Sequence, residues 1–169
     1  ARADQWFARF AADHGTSGST RVLKLVTNFG GTGGVIVLAV VAAIVAGRRT
    51  PARAGAVAAF LTVVVAGQFA LSNIVKALVD RARPNLRPLV GFSGTSFPSG
   101  HSTAAAATLM AIALVLGRGR TWRTKADLTG VAVGLAVAVA ATRVALGVHW
   151  FTDVLAGLLL GWAWFALCS

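Results

Sequence analysis

The chain has 169 residues, of which 56 % are hydrophobic and only 12 % charged, and its mean hydropathy is +0.73. A soluble domain carries about 25 % charged residues, so the composition argues for a membrane-embedded protein. The formal charge of +11, with five acidic residues and no Glu among them, does not signal a nucleic-acid module, because the cations lie between long apolar segments; lipid headgroups and phosphorylated substrates are the expected partners.

Residues 1–24 are basic and amphipathic. Trp6, Phe7 and Phe10 recur at helical spacing among Arg2, Arg9, Arg21 and Lys24, which predicts an N-terminal interfacial helix with its aromatic face in the headgroup layer. His14, in a polar Asp-His-Gly-Thr-Ser-Gly turn, is expected at the surface. Leu25–Ala46 is long enough to cross a bilayer, which takes about 20 helical residues. Its run Gly30-Gly31-Thr32-Gly33-Gly34 lacks the Gly-Lys-Ser/Thr and the preceding strand of a phosphate loop, and points instead to close helix packing. After a basic turn over 47–53 comes a second span, Ala54–Val75, free of charge until Lys76.

Beyond a polar interval, Ser102–Leu116 forms the third span and 117–125 a second basic turn. Leu128–Thr142 and Trp150–Leu167 are the fourth and fifth spans. Gly130 with Gly134, and Gly157 with Gly161, are small-xxx-small pairs expected to let helix backbones approach. Trp150, Trp162 and Trp164 are expected as interfacial anchors. Cys168, the sole cysteine, is expected to pack as a small apolar residue. No period-two alternation occurs, and backbone amides in lipid must bond within their own segment. The predicted fold is all-α: a polytopic transmembrane bundle with five spans here and about six in the intact protein, plus the N-terminal interfacial helix. The chain opens on Ala1 and its only Met is Met110, so a longer product is expected. Residues 1–169 are expected to form a single membrane-embedded domain.

The polar interval from Lys76 to His101 holds three of the four prolines and the cations Lys76, Arg81, Arg83 and Arg87. It ends in Phe97-Pro98-Ser99-Gly100-His101, where a helix begins, and free amides at a helix N-terminus make an anion site. Further on, Arg143, His149 and Asp153 follow at steps of six and four. His149 and Asp153 share a helical face, so the carboxylate can hold one imidazole nitrogen protonated and leave the other nucleophilic. Arginine offers a planar fork to phosphate oxygens and lysine a point charge. Two His and one Asp could also ligate a metal, but three surrounding cations oppose a divalent ion; no metal or cofactor is expected. Arg81 and Arg87 are expected as solvated or lipid-facing cations.

Lys76 with Arg83-Pro84, then Pro98-Ser99-Gly100-His101, then Arg143, His149 and Asp153 together resemble the three-part signature of the type 2 phosphatidic acid phosphatases, the lipid phosphate phosphatases. Thr142 departs from the serine usual beside the arginine. The resemblance implies that His149 attacks phosphorus to form a phosphohistidine, that Asp153 orients it, and that His101 protonates the leaving oxygen. Lys76, Arg83, Ser99, Gly100 and Arg143 would bind the phosphate.

The expected activity is hydrolysis of the terminal phosphate of a lipid phosphate or diphosphate. The compact chain resembles short bacterial members acting on undecaprenyl diphosphate. Phosphatidylglycerophosphate, phosphatidate and a phosphorylated polyprenyl sugar are the alternatives. Two readings from other classes are a vanadium haloperoxidase, which is soluble, and a membrane transporter or lipid-binding protein with an anion site.

With five antiparallel spans, both motif halves fall on one membrane face and the two basic turns on the other. The basic turns hold seven cations; the motif face retains six once Lys76, Arg83 and Arg143 are set aside. The positive-inside count is therefore nearly balanced, and it is the resemblance that implies an extracytoplasmic site. Oligomeric state is not legible.

Overall fold

The structure, a computed structural model, describes residues 2–14, 17–84, 88–92 and 94–169; Arg87 and the side chains of Phe10 and His14 lie outside them. Seven α-helices follow one another among the described residues, and no strand occurs. They are α1 (Arg2–His14), α2 (Ser17–Thr27), α3 (Thr32–Arg49), α4 (Ala54–Val79), α5 (Gly100–Gly117), α6 (Trp122–Ala145) and α7 (Phe151–Cys168). The last five are long and apolar enough to span a bilayer, so the chain is a multi-pass membrane protein.

The N-terminal region differs from its expectation. Two helices replace the single one, and α1 turns an aromatic face inward: Phe7 stacks on Phe151 with ring centroids 4.6 Å apart, while Trp6 stays exposed. The first span starts at Thr32 rather than Leu25, because α2 closes at Thr27 and a 3-10 turn covers Asn28–Gly30. Glycine is a poor helix former, and Gly31 takes extended backbone, ψ 157°, at the N-cap of α3. Close packing is nonetheless the use of Gly30. A Cβ there would stand 2.5 Å from Val139 Cγ1 and 2.7 Å from the His101 carbonyl oxygen.

Helix boundaries elsewhere shift by about a turn or less, except the start of α6, which lies six residues before the expected Leu128. α4 continues to Val79, where Asp80 closes it in the left-handed region, φ 43°, and donates its N–H to the Lys76 carbonyl; Asp tolerates that region better than most residues. α6 starts at Trp122, because the Thr121 side chain caps it by accepting from the Thr124 N–H. Arg123 and Lys125 therefore stand on a helix rather than in a turn.

Helix α5 is the hub. It packs against α3, α4, α6 and α7, and 67 % of its residues are buried, against 22–39 % for the other four spans. Its run Ala104–Ala107 is sealed, since small side chains let neighbours approach from every side. Apolar lipid supplies no hydrophobic drive between helices, so such contact does the holding. Gly157 and Gly161 behave as expected: a Cβ on Gly157 would meet the Ser99 carbonyl at 2.7 Å, and one on Gly161 would collide with the Thr103 carbonyl. Gly130 and Gly134 do not, because nothing lies within 4 Å of a Cβ at either position.

Two tryptophans read as interfacial anchors bond within the protein instead. The Trp164 indole N–H donates to the Val64 carbonyl on α4 at 3.1 Å, and that of Trp150 to the Ala82 carbonyl at 2.9 Å. Trp162 packs against the cluster formed by α5, α6 and α7. A buried indole N–H needs an acceptor, and for Trp164 and Trp150 a backbone carbonyl supplies it. Cys168 packs, half-buried, at the foot of α7.

Parity places the ends as expected. Arg49, Arg53 and Arg118 line one small hollow, so both basic turns share an end of the bundle. The motif residues gather at the other.

Candidate active site

The segment between α4 and α5 is pinned by backbone hydrogen bonds. Ser96 N–H donates to the Arg81 carbonyl at 2.8 Å and Leu89 N–H to Leu146 at 3.0 Å, which ties this loop to the turn between α6 and α7. Ser99 N–H donates to the Asp153 carbonyl at 3.0 Å, joining the start of α5 to the start of α7. Residues more than 50 positions apart are thereby brought to one end of the bundle.

His149 lies in the turn preceding α7, 3 % exposed. Its Nε2 stands 3.2 Å from Arg83 Nη1, and its Nδ1 3.5 Å from Asp153 Oδ2, longer than a formed hydrogen bond. Burial pushes the imidazole below its ordinary pKa and the charges of Arg83 and Arg143 add to that, while Asp153 opposes it. A neutral ring at neutral pH, with Nε2 toward the cations, is the consequence.

Asp153 is fully buried and held on both oxygens. Oδ1 accepts from Arg81 Nη1 at 2.6 Å; Oδ2 accepts from the Ser96 hydroxyl at 2.5 Å and the Trp150 N–H at 2.9 Å. The last bond makes Asp153 the third residue of its own helix cap, where the macrodipole favours a carboxylate.

Two of the three cations are aimed by backbone carbonyls and the third by a hydroxyl. Lys76 Nζ donates to Thr95 O at 3.0 Å; Arg83 donates from Nε to Gly94 O and from Nη1 to Val148 O, each at 2.9 Å. Arg143, only 6 % exposed on α6, donates to the Thr27 hydroxyl at the end of α2. All three, with His149, lie within electrostatic reach of His101 in the first turn of α5.

Seven of the eight residues singled out from the sequence therefore converge, but Ser99 serves differently. Its N–H is committed to Asp153, and its hydroxyl oxygen caps α5 by accepting from Ser102. The amides of Gly100 and His101 occupy the first turn, where the helix supplies no acceptor. Four residues were missed. Arg81, expected to be solvated, pairs with Asp153 and Asp4; Thr27 and Ser96 touch Arg143 and Asp153, and Asp4 touches Arg81 and Thr152, all from positions that carry no local signal. Among the described residues, no three His, Cys, Asp or Glu side chains gather as metal ligands would.

Beside the site an apolar groove of about 530 Å³ runs between α3 and α4, lined by Thr32, Ile36, Val40, Leu61, Val65 and Phe69. Its Thr32 end adjoins Gly31, where a Cβ would lie 3.5 Å from His101 Nε2.

The PAP2 superfamily profile matches residues 55–169, more than half of the chain. The chain belongs to the PAP2 superfamily. Phosphatidylglycerophosphatase B of Bacillus subtilis (strain 168) is 42 % identical over 93 residues, which is 54 % of this chain and 46 % of that protein. A lipid A 1-phosphatase of Rhizobium johnstonii is 38 % identical over 120 residues, 65 % of this chain and 44 % of that protein. The chain thus spans less than half the length of these curated relatives.

The crystal structure of a transmembrane PAP2-type phosphatidylglycerolphosphate phosphatase from Bacillus subtilis superposes with a TM-score of 0.90 at 29 % identity, covering 99 % of this chain and 83 % of that one. Aquifex aeolicus LpxE shares the fold, with a TM-score of 0.73 at 20 % identity over 98 % of this chain and 93 % of that one. Helices α1, α2 and α3 precede the PAP2-matched segment, yet Asp4, Thr27 and Gly30 from this region bear on the site.

Proposed function

We propose that this PAP2 protein is a lipid phosphate phosphatase acting through a phosphohistidine on His149, with phosphatidylglycerophosphate as its substrate. The observation that carries this reading is the placement of His149: buried, with Nε2 against Arg83 and Nδ1 facing the Asp153 carboxyl group. A ring so placed is protonated on Nδ1 and offers its Nε2 lone pair to phosphorus.

In the first step the P–O bond to the lipid breaks as the Nε2–P bond forms, and His101 gives the leaving oxygen its proton. In the second, water attacks phosphorus with His101 taking a proton; the N–P bond breaks and inorganic phosphate leaves. Lys76, Arg83, Arg143 and the first-turn amides of α5 stabilise charge on the equatorial oxygens throughout. The apolar groove beginning at Thr32 supports a lipid over a soluble phosphate ester. Nothing in this route calls for a metal, and we place the site on the extracytoplasmic face.

The relatives are a phosphatidylglycerophosphatase and lipid A 1-phosphatases, so phosphatidylglycerophosphate takes the first place that the sequence reading gave to undecaprenyl diphosphate. The test is phosphate release by the detergent-purified intact protein in EDTA, from phosphatidylglycerophosphate, lipid A, phosphatidate and undecaprenyl diphosphate. The expected result is fastest release from phosphatidylglycerophosphate, with an acid-labile protein-bound phosphate that is absent in His149→Ala. Undiminished release by that variant would sink the covalent route, and a clear preference for undecaprenyl diphosphate would reverse the substrate assignment.

A further inference from the structure

Helix α1 reaches the site through one carboxylate. Asp4 is 3 % exposed although it stands on the outermost helix. Its Oδ1 accepts from the Thr152 N–H at 2.9 Å, and its Oδ2 accepts from the Thr152 hydroxyl and from Arg81 Nη2, each at 2.9 Å. The same guanidinium places Nη1 on Asp153 Oδ1 at 2.6 Å and on the Thr152 hydroxyl at 2.7 Å. Arg81 thus spans two buried carboxylates with its two terminal nitrogens, and its plane lies over the Trp150 ring, 5.6 Å from the centroid.

We infer that Arg81 is a positioning residue for Asp153, and that Asp4 locks it in place, making the N-terminal helix part of the machinery that orients His149. This rests on the roles proposed above for His149 and Asp153. The geometry supplies the reason. Asp153 has two oxygens but must keep Oδ2 turned toward His149 Nδ1, so its other oxygen needs a fixed donor. A planar guanidinium is suited to that task, since its nitrogens are rigidly related. A second anion on the far side keeps the fork from swinging out to water, and Arg81 is one-third exposed, so the restraint matters.

Asp4 itself suits this use. Burial would raise its pKa, but the Thr152 N–H and Arg81 outweigh that and hold it below the usual carboxylate range. It therefore stays charged wherever the enzyme works. It also sits at the N-terminus of α7, where the macrodipole favours an anion, so two carboxylates from opposite ends of the chain share one helix start.

The experiment is a double-mutant cycle on the intact protein, reading kcat, KM and the single-turnover rate of protein phosphorylation. Asp4→Asn keeps an oxygen for Thr152 while removing the charge, so α1 can stay docked. Arg81→Ala is expected to lower kcat and the phosphorylation rate about tenfold with KM little changed, and Arg81→Lys to recover part of the loss. Asp4→Asn is expected to lower both several-fold, yet to add nothing in the Arg81→Ala background.

A wild-type phosphorylation rate in Arg81→Ala or Arg81→Lys overturns the inference, as does an Asp4→Asn effect that is equal in both backgrounds, the mark of helix docking alone. Should Arg81→Ala fail to fold, Asp4→Asn measured with and without Arg81→Lys decides in the same way. His149→Ala runs alongside: turnover surviving there would strike the phosphohistidine reading itself, while its loss beside an undisturbed Arg81→Ala would strike only the relay.

Discussion

Both ends of the bundle are basic, and they use their cations in opposite ways. At the end formed by the two short turns, Arg48, Arg49, Arg53, Arg118, Arg120, Arg123 and Lys125 are all exposed. At the other, beside the exposed Arg2, Arg9, Arg21 and Lys24 of the N-terminal helices, Lys76, Arg81 and Arg83 are half-buried and Arg143 buried, each of these four donating to a named oxygen. Every ion pair among the described residues lies at this second end. Withdrawing a cation from water is costly unless partners replace the hydration. For Lys76 and Arg83 the replacement is backbone carbonyl, which orients a cation without neutralising it, whereas Arg143 bonds a hydroxyl and Arg81 two carboxylates. Net charge alone therefore says little about which end does chemistry; what separates them is how firmly each charge is held.

The sharpest test of the contrast is His149→Ala, which should cost at least about a thousandfold in turnover while leaving thermal unfolding in detergent near wild type. Next comes Arg143→Ala. Loss of one preorganised cation is expected to lower kcat/KM about a hundredfold, with Arg143→Lys falling between. Arg83→Ala should also lower kcat/KM, and its residual activity carries a pH signature. Arg83 depresses the His149 pKa, so removing it raises that pKa and moves the acid limb of the kcat/KM profile to higher pH. An acid limb that stays put would break the link between this cation and the nucleophile.

Smaller effects belong to packing and to the opposite end. Gly161→Ala forces a side chain onto the Thr103 carbonyl and should cost about 1–3 kcal/mol of stability. Gly130→Ala enters open space and should be neutral or stabilising by up to about 1 kcal/mol, as thermal melts of both variants would show. Arg118→Gln, at the exposed basic turn, should leave kcat/KM within about twofold. A large drop there would erase the distinction between the two ends.

What the sequence revealed and what it hid divide along a physical line. The spans were legible because lipid imposes a length and a composition that a short window can register. Lys76, Arg83, His101, Arg143, His149 and Asp153 stood out because polar groups are costly beside such spans and because their spacing resembles the family signature. Asp4 was not: it is one of five aspartates, and its meaning depends on Thr152, 148 positions away. Arg81 looked like a neighbour of the motif because its partners sit on α1 and α7. The glycine pairs teach the same lesson, since Gly130/Gly134 and Gly157/Gly161 have identical spacing but only the second faces another backbone. Helical period tells which residues share a face; it does not tell what that face meets.

The burial of α5 bears on how the molecule is built. It is the least apolar of the five spans, and it offers lipid the least surface. For this helix the solvent is mainly other helices, so a lone α5 in the bilayer gains little from its surroundings. Its most intimate neighbour, α7, emerges during synthesis only after α5 and α6, and it brings Asp153 with it, just behind His149. The central helix thus remains incompletely packed until α7 is in place, and the step that brings α7 against it also brings the parts of the site together.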